Sequence, residues 1–263
     1  MPVTDALTAI EQQRYSRHNV FDDWLDLMLY ALQRRDDPYL EIVEQYDNDR
    51  PEGNREIDYF TEAFAQLQQG MAATDADLLG VIYEAYGQSS DAFGQYFTPH
   101  NVSDAMAAMN LDDVDSTQYS QDDPLTVADP ACGSGRMLIS AAQAIPDDVE
   151  AAVFYGQDKD PMCGKMTALN LCLFNVDGYA VLGDSLRVEA RRLWQTRSSP
   201  FGGSVRELDP EEYGNPFEAA LSTSDTDDEQ IAEDDISADS PALDAVDVEL
   251  RQATFDEYGG DTS

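Results

Sequence analysis

Three short apolar runs, each closing on an aspartate, constrain this chain more than any other feature: LTVADP at Leu125 to Pro130, VFYGQD at Val153 to Asp158, and YAVLGD at Tyr179 to Asp184. A glycine turn and a helical stretch, GSGRMLISAAQAI, separate the first two and stop at Pro146. A second helical stretch, from about Pro161 to Phe174, separates the last two. Strands alternating with helices pair in parallel through right-handed crossovers, so the spacing predicts an α/β fold. Asp129, Asp158 and Asp184 then stand along the carboxyl edge of the sheet, where open α/β sheets bind ligands.

Upstream the period is helical. Phe21, Trp24, Leu25, Leu27, Met28, Tyr30, Ala31 and Leu32 recur at three- and four-residue spacing, with breaks expected at Pro38 and around Asn48 to Gly53. A further helix is expected at Asp75 to Tyr86, with Leu78, Leu79, Ile82, Tyr83 and Tyr86 on one face. Downstream of Arg206 only Arg251 joins that arginine in opposing a dense run of acids, which predicts an acidic, disordered tail. The organisation read here is a helical region over 1–90, an α/β domain over 91–205 and a tail over 206–263. No internal repeat is present.

Composition sets the partners. With 15 basic against 53 acidic residues, the formal charge of −38 excludes a free-standing basic nucleic-acid binder, while 42% hydrophobic residues suffice for a real core. Lysine occurs only at Lys159 and Lys165. An acidic, lysine-poor surface repels itself in dilute buffer, but at about 1 M salt the screening length falls to roughly 3 Å. The composition therefore predicts a protein of a salt-accumulating halophile; an ordinary acidic protein is the alternative. Cys132, Cys163 and Cys172 show no CxxC spacing, which suits a reduced compartment. The N-terminal stretch lacks the pattern of an export signal and no apolar run matches a membrane span, so a cytoplasmic, soluble chain is expected. His18 and His100 are isolated, and no metal site is expected.

The chemistry gathers at DPACGSGRML, Asp129 to Leu138. Gly133 and Gly135 let backbone approach a ligand closely, and the following helix N-terminus offers free N–H groups. The spacing is neither GxGxxG nor GxxxxGK[ST], which counts against a nicotinamide oxidoreductase and against a P-loop. Asp158 ends the second strand, where an acid commonly accepts both hydroxyl protons of a ribose. Asp184 would reach the base end of the same ligand. Turn, ribose acid and third-strand acid together describe a nucleoside pocket.

The segments GQYFTP (Gly94 to Pro99), DPACGSGRML, GQDKDP with TALNLCLFN, and GDSL resemble, in order and spacing, the S-adenosylmethionine-binding half of the N6-adenine DNA methyltransferases, notably the modification subunit of type I restriction systems. The likeness spans about residues 85–190. It implies a Rossmann-like methyltransferase sheet with S-adenosyl-L-methionine as cofactor, DNA as substrate and a specificity or second methylase subunit as partner. By the same resemblance, Gln95, Tyr96, Phe97, Thr98 and Pro99 contact the methionine part of the cofactor. Asp129, Gly133, Ser134, Gly135 and Arg136 match the family's first motif, Asp158 its ribose-binding acid and Asp184 its adenine-proximal acid. A helical domain ahead of the methylase fold is also a family trait.

The family's catalytic signature, [DNS]PP[FYW], is absent. Its first side chain and the carbonyl between its prolines accept hydrogen bonds from the adenine amine, and its aromatic residue stacks on the flipped base. The nearest strings, Asn215-Pro216-Phe217 and Ser199-Pro200-Phe201, lack the second proline and follow no apolar strand. Each reads either as a divergent motif or as a turn with a hydrophobic anchor. The methylase sheet is therefore expected to be truncated. Two functions follow: an adenine-specific DNA methyltransferase, or an accessory protein that binds the cofactor without transferring the methyl group.

Two more features have double readings. Arg187, Arg191, Arg192 and Arg197 in RVEARRLWQTR suit a DNA-phosphate patch on one helix, Arg187 and Arg191 being four apart, or else a solvated face paired with the chain's own acids. Cys132 reads as a small residue under the glycine loop rather than a nucleophile, with no histidine near in sequence to activate it.

Overall fold

The three expected strands form and pair as expected. In the computed structural model, which describes residues 3–11, 15–87, 97–146, 149 and 151–217, β1 (Leu125–Asp129), β2 (Ala152–Asp158) and β3 (Gly178–Leu182) are parallel neighbours in that order. The crossovers are α7 (Arg136–Ala144) and α8 (Pro161–Leu173). Right-handed crossovers in one direction along a sheet put both helices on the same face. Leu138 of α7 and Thr167 of α8 accordingly both press on Gly156 of β2. The register staggers the acids: Asp129 stands level with Gly156, and Asp158 level with Leu182, so each aspartate lies two residues further along than the one before.

Local chemistry fixes the helix starts. Gly135, at φ 83°, caps α7 in a left-handed conformation suited to glycine. The Asp160 carboxylate accepts from the N–H groups of Met162 and Cys163, and Pro161 fills the first position of α8, where its missing N–H costs nothing. Every residue of α8 from Met162 to Cys172 is buried, and its polar members Lys165, Thr167 and Asn170 each find hydrogen-bond partners. One side packs on β3 and on the strand Arg192–Arg197, the other on α2 (Arg17–Gln33).

Five further helices complete the described N-terminal part: α1 (Val3–Glu11), α3 (Asp36–Val43), α4 (Glu56–Thr74), α5 (Leu78–Gly87) and α6 (His100–Leu111). Phe21, Trp24, Leu25 and Met28 of α2 share one buried cluster with Cys163, Met166 and Leu169 of α8 and Trp194 of the sheet. Helices and sheet thus have a common core. The break expected at Pro38 falls earlier, at Arg34, whose left-handed backbone ends α2. Pro38 itself sits in the first turn of α3, where proline is tolerated. No helix among the described residues is long and apolar enough to cross a membrane.

The helix expected over Arg187–Arg197 is corrected. After a 3-10 turn at Ser185–Arg187, Val188 adopts a left-handed conformation and the chain returns as β4 (Arg192–Arg197), antiparallel to β3. Leu193, Trp194, Gln195 and Thr196 are all buried, so successive side chains fill opposite faces of a sheet, a period-two demand that no helix meets. A hairpin turn at Ser199–Gly202 leads to β5 (Ser204–Leu208), which runs across Arg206, the position chosen above for the start of the tail. The four-residue α9 (Pro210–Tyr213) follows, and residues 218–263 of the expected tail lie outside the described residues.

The strand order leaves β1 at one end of the sheet, with no strand on its outer side among the described residues. Thr126 and Ala128 are exposed there. An edge strand presents unpaired N–H and C=O groups with which further chain can pair.

Candidate functional site

A cleft of about 920 Å³ opens at the carboxyl ends of β1 to β3. That is room for a nucleoside-sized ligand with an attached side chain. Its floor is the loop Asp129–Gly135, and the loop is pinned from three sides. The Gly133 N–H donates to Asp158 Oδ2 at 3.0 Å. The Gly133 carbonyl accepts from Thr167 Oγ1 of α8 at 3.0 Å. The Ser134 hydroxyl donates to Asp77 Oδ2, ahead of α5, at 2.6 Å. Gly133 has φ +56°, and a Cβ there would lie 2.7 Å from the Phe97 ring, so a side chain is doubly excluded.

The carboxylates differ in what they have left to offer. Asp158 accepts one N–H on each oxygen, from Gly133 and from Asp160, keeping a lone pair on each for a ligand donor. Asp184 caps the 3-10 turn by accepting from the N–H groups of Leu186 and Arg187 on one oxygen, so its second oxygen is the freer. Asp129 accepts from the Ala131 N–H. Burial pushes its carboxyl above the ordinary value of 3.8; the Ala131 hydrogen bond pulls back and the neighbouring Asp158 charge adds to the rise.

The opposite wall is the FTP segment. Phe97 is held by a hydrogen bond from its N–H to Glu84 Oε1 (2.8 Å), with the Tyr83 ring 5.3 Å away. The Thr98 carbonyl accepts from Arg136 Nη1 at 2.8 Å. The cleft thus brings together Phe97, Thr98, Asp129, Gly133, Ser134, Arg136, Asp158 and Asp184. Pro99 instead caps α6, and Gly135 packs back on Thr167. Gln95 and Tyr96 lie outside the described residues.

The remaining candidates are placed elsewhere. Phe217 is buried against Val181, Leu193 and Leu208 on the face of the sheet opposite α8, and the Asn215 amide donates to Gln157 Oε1 behind β2. Neither these two nor Pro216 lines the cleft. In the other string Phe201 stands fully exposed in the hairpin turn. Of the arginines, Arg192 is bound to Glu207 at 2.6 Å and lies over the Trp194 ring, and Arg197 stands 3.9 Å from Asp177. Arg187 and Arg191 flank the cleft edge, Arg191 donating to the Lys159 carbonyl and Arg187 standing 3.8 Å from Asp184. Burial drives the Cys132 thiol far above its ordinary range, leaving it a neutral group beside Thr167 Oγ1.

Asp77, Glu84, Thr167 and Asn170 support this site without having been singled out. The last two stand three apart in TALN, a helical face visible in the sequence. Asp77 and Glu84 belong to an apolar helix pattern whose acids look like ordinary surface charge.

Residues 74–198 match the model of the N-6 DNA methylase family. The chain is 27% identical over 169 residues to the type I restriction enzyme MjaIX methylase subunit of Methanocaldococcus jannaschii, an alignment covering 57% of this chain and 28% of that protein. It is 29% identical over 126 residues to the MjaVII methylase subunit of the same organism (43% and 21%). It is 30% identical over 148 residues to the type II methyltransferase M.MamI of Microbacterium ammoniaphilum (49% and 41%). The chain spans less than half the length of each of these relatives.

Proposed function

From the premise that residues 74–198 are a segment of the N-6 DNA methylase family, we propose that the chain binds S-adenosyl-L-methionine in the cleft above β1 to β3 and serves N6-adenine methylation of DNA in a restriction-modification system. The observation that carries this reading is the convergence of three staggered carboxylates on a glycine loop pinned open beside Phe97. The cofactor, when bound, supplies an activated methyl group. Asp158 accepts the two ribose hydroxyls on its remaining lone pairs, Asp184 faces the adenine amine, and Asp129 offers a negative charge to the cationic methionine part. Phe97 and Thr98 close the wall that keeps water from that end.

Calorimetry with S-adenosylmethionine in molar KCl tests the pocket; an absence of heat there sinks the reading. The affinity also depends on pH with a defined sign. Burial raises the Asp129 carboxyl, so it takes up its proton above the ordinary value of 3.8 as pH falls from neutral, and the neutral acid no longer attracts a cation. Binding is expected to weaken across that interval in the wild-type chain and to lose that part of its pH dependence in Asp129→Asn.

A second reading, a cofactor-binding accessory protein, is favoured by two observations: Phe217 is buried away from the cleft, and no [DNS]PP[FYW] occurs in the chain. In the methylase reading the adenine pocket comes from chain that joins at the open edge of β1, either outside the described residues or on a specificity or second methylase subunit. Transfer of a tritiated methyl group to unmethylated DNA, alone and with candidate subunits, separates the two.

On composition alone, acidic and with lysine only at Lys159 and Lys165, we propose a salt-accumulating cell as the source of the protein. With a charge of −38, its melting temperature is expected to rise steadily as KCl goes from low to molar concentration. Equal melting at both ends removes the halophile reading and leaves an ordinary acidic protein.

A further inference from the structure

We infer that α5 and the turn before it are the positioning element of the cofactor cleft, with Asp77 holding the glycine loop and Glu84 holding the FTP wall. The inference rests on the reading of the cleft as an S-adenosylmethionine site and adds two residues that touch no ligand.

Asp77 is 1% exposed and saturated. Its Oδ1 accepts from the Gly80 N–H (2.9 Å) and from Asn170 Nδ2 (2.8 Å); its Oδ2 accepts from Ser134 Oγ (2.6 Å) and Arg136 Nε (3.0 Å). Only a carboxylate has four acceptor sites in this arrangement, and an amide would turn one pair of sites into donors facing donors. Asn170 Nδ2 also donates to the Ser134 carbonyl, so both ends of Ser134 depend on the same group. Two turns on, Glu84 accepts the Phe97 N–H, and Arg136 bridges the two walls by pairing with Asp77 and donating to the Thr98 carbonyl. The glycine loop and the FTP segment belong to separate parts of the chain. Their spacing, which is the width of the cleft, is set by the distance between two acids, one at the start of α5 just before Leu78 and one within the helix. Gly80 makes room for this: a Cβ there would strike Asp77 Oδ2 and come within 2.7 Å of Ser134 Oγ.

The test uses the full chain in molar KCl with three variants, read by S-adenosylmethionine calorimetry, thermal melting and amide hydrogen exchange. Asp77→Asn is expected to weaken binding by about tenfold or more, since two hydrogen bonds to a charged group are lost. It should raise exchange at Gly133 to Arg136 and at Phe97 and Thr98 while β1 to β3 stay protected. Gly80→Ala should do the same to a smaller degree although alanine is the better helix former. Tyr46→Phe removes a hydrogen bond to Asp23 elsewhere in the helical region and should lower melting without changing affinity. If Asp77→Asn and Gly80→Ala bind as wild type does, or if exchange rises evenly over the fold as after Tyr46→Phe, the positioning role is overturned. Should wild type itself not bind, the cofactor reading fails, and the exchange pattern still decides whether α5 sets the cleft.

Discussion

Replacement of Lys165 by methionine is expected to destabilise the fold by about 3–5 kcal/mol, the usual cost of removing one partner from a buried ion pair. Lys165 is one of only two lysines and lies in the buried stretch Met162–Cys172 of α8. Its ammonium sits 2.6 Å from Asp22 Oδ1 and 2.7 Å from Asp26 Oδ2, both on α2. Methionine fills the volume but leaves two half-buried acids facing each other. Burial already pushes the Asp26 carboxyl above 3.8, with Lys165 pulling it back, and without the ammonium it rises further. A carboxyl raised in the folded state costs stability as pH climbs through its folded value and relieves that cost on acidification. The deficit, measured by denaturant unfolding in molar KCl, should therefore be greatest near neutral pH and shrink towards pH 5. Adding Asp22→Leu and Asp26→Leu should recover most of the loss. If the triple variant is as unstable as the single one, packing rather than charge accounts for Lys165.

The second large effect belongs to Asp158. Its carboxylate accepts the Gly133 and Asp160 N–H groups, and in the function proposed above its two remaining lone pairs take the ribose hydroxyls. Asp158→Ala removes two charge-assisted hydrogen bonds to the ribose, each worth about 1.5–3 kcal/mol, and releases the loop as well. Affinity for S-adenosylmethionine is expected to fall at least about 100-fold, with Asp158→Asn intermediate because the amide oxygen still accepts. Binding of the alanine variant within about threefold of wild type would exclude Asp158 as the ribose acid.

These two residues differ in how they could be found. Asp158 closes a strand and precedes a capped helix, so its place on the sheet edge follows from neighbours within a few positions. Lys165 carries no such mark. A lone lysine in an apolar helix becomes an ion-pair centre only when α2, far upstream, brings Asp22 and Asp26 to it. The arginine segment shows the opposite failure. Its four-residue spacing is genuine in the sequence, yet pairing with β3 and β5 outweighs it, and Arg192 ends in a pair with Glu207. Asn215 and Phe217 resemble a remnant motif as text, while packing commits Phe217 to the far face of the sheet.

By itself the sequence determined the βαβαβ order, the glycine turn and the three aspartates at the strand ends, because periodicity and φ > 0 at glycine are settled over short stretches of chain. Only the tertiary structure decided that Arg192–Arg197 is a strand, that β1 is an outer strand among the described residues, and that Asp77 and Glu84 bond to the two walls of the cleft. Those outcomes depend on partners remote in sequence, where burial makes an unpaired polar group costly and leaves one arrangement that satisfies them all.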